Sequence, residues 1–113
     1  MSKVVFITGA SSGIGKAIGE FLLSKAYIVY GTSRNPENYS DSKFPLVALD
    51  VRNPETIQSA IATVIQKETK IDVVINNAGV GTAVPATHET PEQFRSVLDV
   101  NLFGAYWMSQ AFA

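Results

Sequence analysis

Gly9, Gly13 and Gly15 stand with Ser11 and Ser12 in the run Thr8-Gly9-Ala10-Ser11-Ser12-Gly13-Ile14-Gly15. Residues of these types at this spacing suit anion binding. Glycines let backbone N–H groups come close to a phosphate, and serine hydroxyls either donate to it or cap a following helix. The spacing is G-x-x-x-G-x-G, not the commoner dinucleotide pattern G-x-G-x-x-G. Gly9 can take a tight turn, Gly13 can bring backbone near a pyrophosphate, and Gly15 can let a helix pack closely on a strand. On the residues alone the same glycines also suit a plain strand-to-helix turn. Three further polar stations each close an apolar run: Ser33-Arg34, Asp50-Val51 and Asn76-Asn77-Ala78-Gly79.

The elements that must carry these residues are legible from periodicity. Val4-Val5-Phe6-Ile7 reads as a strand buried on both faces and stops at Thr8-Gly9. Ile14, Ala17, Ile18, Phe21 and Leu22 then recur at helical spacing, which predicts the buried stripe of a first helix. That helix would begin at the glycine turn, so its positive dipole end and unpaired N–H groups point where an anion would lie. If Ala26 takes the left-handed position after the helix, it costs about 1 kcal/mol relative to glycine.

Residues 27–32 predict a second strand, rich in β-branched and aromatic residues, with a polar loop over 35–45. Leu46-Val47-Ala48-Leu49 predicts a third buried strand ending at Asp50-Val51. Asn53-Pro54 then predicts an N-cap and first turn, followed by the stripe Ile57, Ile61, Val64 and Ile65. Val73-Val74-Ile75 predicts a fourth buried strand. After a loop over 80–89, Thr90-Pro91-Glu92-Gln93 carries a capping box. The last helix holds Phe94, Val97, Leu98, Leu102, Phe103, Tyr106, Trp107, Met108 and Phe112, apolar nearly all round. Alternating strands and helices imply a parallel sheet with right-handed crossovers.

Composition bounds the rest. With 113 residues, 46% of them apolar, the chain suits one small domain. The absence of cysteine excludes disulfide and thiolate chemistry, and the expected location is the cytoplasm. A net charge of −1 gives no bulk attraction to nucleic acid or to an anionic membrane. No run is long enough to span a membrane, and Met1-Ser2-Lys3 leads straight into a strand without a signal peptide. His88 is the only histidine; with no cysteine beside it, a metal site is not expected and a surface role is.

Taken together and in order, Thr8-Gly9-Ala10-Ser11-Ser12-Gly13-Ile14-Gly15, Asp50-Val51, Asn76-Asn77-Ala78-Gly79 and Asn101-Leu102-Phe103-Gly104 resemble the short-chain dehydrogenases/reductases of the classical type. The resemblance runs from the first strand to the last residue. It implies an α/β, Rossmann-type doubly wound parallel sheet, with residues 1–113 as the N-terminal part of one NAD(P)-binding domain. The strand order 3-2-1-4 is present and the later strands absent. It implies hydride transfer between a nicotinamide cofactor and a carbonyl or alcohol substrate. It assigns Gly9, Gly13 and Gly15 to the pyrophosphate turn, and Ser11, Ser12 and Ile14 within that turn are expected to be cofactor-binding as well. Asp50 and Val51 would hold the adenine, with the Asp50 carboxylate accepting from its exocyclic amine. Asn77, Ala78 and Gly79 would pass the adenosine ribose, with Asn77 also tying the sheet together. Asn101 would be catalytic, holding a water in the proton relay. On the residues alone, Asp50 also suits a loop cap, Asn77 an Asx-turn, and Asn101 a helical position satisfied by its neighbours.

Cofactor choice follows from charge. The end of the second strand reads the ribose, and a carboxylate there would repel a 2′-phosphate. This chain has Ser33 and Arg34 instead, a donor and a cation, which favours NADP over NAD.

The family site also needs a serine and a Tyr-x-x-x-Lys beyond the catalytic asparagine, and only twelve residues follow Asn101. Tyr39-Ser40-Asp41-Ser42-Lys43 fits that spacing but precedes the third strand, on the adenosine side, so it reads as coincidence. The 113-residue chain is therefore expected to be catalytically silent by itself. The alternative to an oxidoreductase is a nucleotide-binding or association module without catalysis. Leu102, Phe103, Tyr106, Trp107 and Phe112 cannot all face one sheet, and the last helix is expected to join copies in a homo-oligomer.

Overall fold

The four residues Val4 to Ile7 leave no exposed face, and the sheet is built outward from them. The computed structural model of the chain describes residues 2–78 and 90–92. In order these form β1 (Val4–Ile7), α1 (Gly13–Ser24), β2 (Ile28–Ser33), a 3₁₀ turn (Pro36–Asn38), β3 (Leu46–Ala48), α2 (Pro54–Glu68) and β4 (Val73–Ile75). The strands lie in the order β3-β2-β1-β4, every pair parallel. Phe6 stands opposite Tyr30 on one side and Val74 on the other, which fixes the register of the centre.

Side chains alternate across this sheet as the pleat requires. Val5, Ile7 and Val29 project to the α1 side, where Ala10 and Phe44 complete a buried cluster. Val4, Phe6 and Tyr30 project to the α2 side and pack with Leu49, Val51, Ile57, Ala60 and Val64. Each large apolar side chain removed from water in this way stabilises the fold by about 1.5–3 kcal/mol.

The outer strands differ from expectation. β3 is half-buried with Ala48 exposed, and Val73 of β4 is 39% exposed. A strand buried on both faces needs helices over both, and among the described residues β3 and β4 are the two edges of the sheet.

Helix α1 also corrects the sequence. Ile14 is 73% and Phe21 60% exposed, and Ala17 faces solvent as well. The buried positions are Gly15 and Gly19, with Ile18 and Leu22 packed partly on the α1-side cluster. The helix is turned roughly a quarter turn from the orientation that the apolar stripe predicts. Close approach through glycines decides the face, because a side chain at either glycine would enter atoms already in place. Ala26 does take the left-handed conformation after α1, with φ at 68°.

Helix α2 begins as expected. Asn53 is its N-cap, its side chain accepts from the Glu55 N–H at 3.1 Å, and Pro54 opens the first turn. Ile57, Ala60 and Val64 are buried, Ile61 packs at the margin, and Ile65 is exposed rather than part of the stripe. Pro91 and Glu92 are helical, where the last helix is expected to start. The rest of that helix, with Asn101 and the proposed association surface, lies outside the described residues, as do Gly79 and His88. Among the described residues no helix is long and apolar enough to cross a membrane.

Candidate functional site

Parallel strands end together, so the loops after β1, β2, β3 and β4 gather along one edge of the sheet. A cleft of about 480 Å³ opens there. The chain leaves β1 at Thr8, and Gly9 turns it sharply, with φ at 66°. The Gly9 N–H donates to Thr32 Oγ1 of β2 at 3.2 Å, which holds the turn over the neighbouring strand.

Across the turn comes the segment after β4. The Asn77 side-chain amide donates to the Gly9 carbonyl at 3.1 Å. The backbone N–H groups of Asn77 and Ala78 both donate to Thr8 Oγ1, each at 3.0 Å. Asn77 is therefore more than a local turn residue: it joins the ends of β1 and β4. A Cβ on Gly15 would press on the Gly9 carbonyl oxygen and come within 2.5 Å of Asn77 Nδ2, so only glycine leaves that bridge intact. A Cβ on Gly9 would lie 2.9 Å from Ala78 Cα. Gly15 packs behind the cleft, whereas Gly9, Ala78 and Asn77 line it.

The start of α1 faces the same space. Ser12 is the N-cap by backbone conformation, yet its side chain makes no capping hydrogen bond, and the first turn holds no acidic residue. The positive end of the helix is thus left without a counter-charge from its own first turn. Gly13 is left-handed, with φ at 60° and nothing within 4 Å of where a Cβ would be. Ser11, Ser12, Gly13 and Ile14 all line the cleft. The exposed Ile14 is accounted for here, since it stands at the mouth of the site instead of in the core.

The far end of the cleft is formed after β2 and β3. Ser33 is nearly buried; its Oγ accepts from the Asn35 N–H at 3.1 Å, which leaves its hydroxyl proton to donate elsewhere. Arg34 is exposed beside it, and no carboxylate ends β2. Leu49 and Val51, both buried, flank Asp50, and all three line the cleft.

What Asp50 touches is set by the loop after β3. Asp50 Oδ1 accepts from both the N–H and Nε of Arg52, each at 3.0 Å, and Oδ2 accepts from Arg52 Nη2 at 2.9 Å. Hydrogen bonding to the Arg52 side chain holds the Asp50 carboxyl below its ordinary range, against partial burial, with a smaller contribution from the charge of Arg34. The Asp50 N–H also donates to Thr56 Oγ1 at 2.9 Å. Periodicity carries no trace of these contacts; the i, i+2 spacing of opposite charges was the available signal.

Thr32 and Asn35 line the cleft too, though no motif marked them, as does Tyr39, which was marked only by its chance fit to Tyr-x-x-x-Lys. Tyr39 sits just past the 3₁₀ turn, with Arg34 and Asp50 among its companions in the lining. That is the β2–β3 side of the cleft. The structure therefore brings together Gly9, Ser11, Ser12, Gly13, Ile14, Ser33, Arg34, Asp50, Val51, Asn77 and Ala78 around one cleft, with Gly15 behind it. Among the described residues no group of three or more His, Cys, Asp or Glu side chains could hold a metal ion.

Comparisons with known proteins agree with this geometry. The family model for short chain dehydrogenases matches residues 3–113. The chain is 36% identical over 109 residues to a 3-ketodihydrosphingosine reductase of Bacteroides thetaiotaomicron, covering 96% of this chain and 40% of that protein. It is 33% identical to an NADPH-dependent 3-dehydrocapnine reductase of Ornithobacterium rhinotracheale, covering 96% of this chain and 41% of that protein. Among solved structures, a 3-ketoacyl-(acyl-carrier-protein) reductase from Brucella melitensis, complexed with NADH, superposes with a TM-score of 0.87 at 28% identity. That match covers 96% of this chain and 48% of the other. The chain thus spans less than half the length of these relatives. A Rossmann-like parallel sheet, a glycine turn tied to its neighbours, and a family match along the whole chain lead to one conclusion: the chain belongs to the short chain dehydrogenase family.

Proposed function

We propose that this cleft binds a nicotinamide dinucleotide, NADP(H) in preference to NAD(H), as the cofactor-holding part of an oxidoreductase acting on a carbonyl or alcohol. One observation carries the reading. The N-terminus of α1 opens onto the cleft with no acidic residue in its first turn, and the Ser12 hydroxyl is not engaged in capping it. Such an end favours a phosphate group.

Gly9, Gly13 and the hydroxyls of Ser11 and Ser12 would take the pyrophosphate there, with Ile14 at the mouth. Gly15 would keep α1 close enough for those groups to reach it. Ser33 and Arg34 would take a ribose 2′-phosphate, a donor and a cation where a carboxylate would oppose it. The slot between Leu49 and Val51, edged by the Asp50 carboxylate, fits a flat base bearing an amine. Asn77 and Ala78 would border the ribose. Once bound, a nicotinamide cofactor supplies or accepts hydride. The relatives support a nicotinamide dinucleotide, one being NADPH-dependent and another complexed with NADH, and the preference for NADP(H) rests on Ser33 and Arg34 alone.

Direct titration of the 113-residue chain with NADPH and NADH tests it. NADPH is expected to bind more tightly. Arg34→Ala is expected to weaken NADPH by roughly ten- to a hundredfold, the size of one charge-assisted contact, with little change for NADH. Equal losses for both cofactors would remove the case for NADP, and no binding of either would overturn the site.

A further inference from the structure

Asp50 reaches the cleft with its carboxylate already oriented. Three hydrogen bonds from Arg52 occupy both sites on Oδ1 and one on Oδ2. A carboxylate offers about four acceptor sites, so the one remaining lies on Oδ2. Asp50 lines the cleft, whereas Arg52 grips it from outside the lining. The backbone at Asp50 is also pinned. Its N–H donates to Thr56 Oγ1, and its carbonyl accepts from the Asn53 N–H at 2.9 Å, both partners belonging to the start of α2. The carboxylate is therefore fixed by its own loop, independent of any ligand.

We infer that Arg52 is a positioning residue for base recognition: by holding Asp50 in one orientation with a single acceptor site left, it makes the slot select a base with a 6-amino group over one with a 6-oxo group. The inference rests on the proposal that the slot beside Asp50 takes the base of a dinucleotide. An ionised carboxylate can only accept hydrogen bonds. An amine meets it with a donor, whereas a ring carbonyl at the same place meets it acceptor to acceptor. A freely rotating carboxylate could turn away from the carbonyl and blunt that penalty. One clamped by a guanidinium fork cannot, because the planar fork fixes both oxygens together. Arg34 stands near enough to act on Asp50 electrostatically, and the hold of Arg52 also keeps Asp50 from turning to that second cation.

The experiment compares dissociation constants for NADPH and for its hypoxanthine analogue, in which the 6-amino group is replaced by a 6-oxo group. The wild-type chain, Arg52→Met and Asp50→Asn are each titrated with both. Because the readout is a ratio within one protein, a variant that is partly unfolded does not distort it. The wild type is expected to prefer NADPH by about tenfold or more, as one charge-assisted hydrogen bond implies. Arg52→Met is expected to reduce that preference to about threefold or less, chiefly by improving relative acceptance of the analogue. A full preference in Arg52→Met, with the preference lost in Asp50→Asn, would overturn the role of Arg52 while leaving the base slot in place. A full preference in Asp50→Asn, or none in the wild type, would instead overturn the base slot itself.

Discussion

Helix α1 meets its face of the sheet through Gly15 and Gly19, whereas α2 meets the opposite face through Ile57, Ala60 and Val64. The difference separates two tasks. On the α2 side, branched side chains fill the space between helix and sheet, and this apolar core meets the cleft only at its margin, through Leu49 and Val51. On the α1 side, missing side chains draw the helix start onto Gly9 and Asn77, so packing and the cleft are made by the same atoms. Substitutions on the two faces should therefore part company when stability and cofactor binding are measured on the same protein.

The largest effect is expected from Gly15→Ala. Its new Cβ would press on the Gly9 carbonyl, which is backbone, and on the Asn77 amide that this carbonyl holds in place. A cost near about 3 kcal/mol in denaturant unfolding is expected, together with at least a tenfold loss of NADPH affinity. If binding survived in the folded protein, the two tasks would be separable on this face as well.

Val64→Ala is the matching change on the other face. Val64 is fully buried far along α2, and losing two methyl groups should cost about 2 kcal/mol. NADPH affinity of the folded protein is expected to stay within about twofold of wild type. A loss comparable to that in Gly15→Ala would show that the α2 core shapes the cleft well beyond Leu49 and Val51.

The α2 face also holds a polar latch, the Tyr30 hydroxyl donating to Glu68 Oε2 at 2.6 Å. That bond, then burial, then the charge of Glu68 push the Tyr30 pKa up to about 12. The protonated phenol is thus favoured in the folded state. Its stabilisation is complete below the ordinary tyrosine value near about 10 and is lost as pH rises through about 12. Tyr30→Phe should cost about 1.5 kcal/mol at neutral pH. It should also flatten the fall in stability between those two pH values, which unfolding curves at stepped pH will read. An unchanged alkaline limb would mean that another group titrates there.

The smallest change is Ala26→Gly at the end of α1. Ala26 holds φ at 68°, a conformation glycine adopts without a Cβ clash. A gain of about 1 kcal/mol in unfolding free energy is expected, with NADPH binding unaltered. A destabilised variant would mean that the Ala26 methyl packs more than its exposed position suggests.

Local patterning was enough to place the elements. Four apolar runs and two helical stretches lie within one or two residues of where periodicity set them, and Asn53-Pro54 and Ala26 behave as their residue types require. The glycine turn was legible for the same reason: strand, turn and helix are neighbours along the chain, and their backbone needs are local. The order of the sheet was expected from the family resemblance, and the pairing bears it out.

What only the tertiary structure decided is which surfaces meet. The apolar stripe of α1 pointed to Ile14 and Phe21, but the buried face is the one whose glycines permit close approach. Hydrophobic periodicity cannot rank an absent side chain above a present one. Asp50 was legible as a candidate residue and does line the cleft, yet its clamp by Arg52 was not legible, because a hydrogen-bonded rotamer depends on loop geometry and not on residue type. Thr32 and Asn35 entered the cleft unannounced, since loops distant in sequence converge only where parallel strands end side by side. The chain's own sequence determined which elements form and where the glycine turn opens a helix. Folding determined which side chains reach that place, because proximity across a sheet is a property of the pairing and not of any single segment.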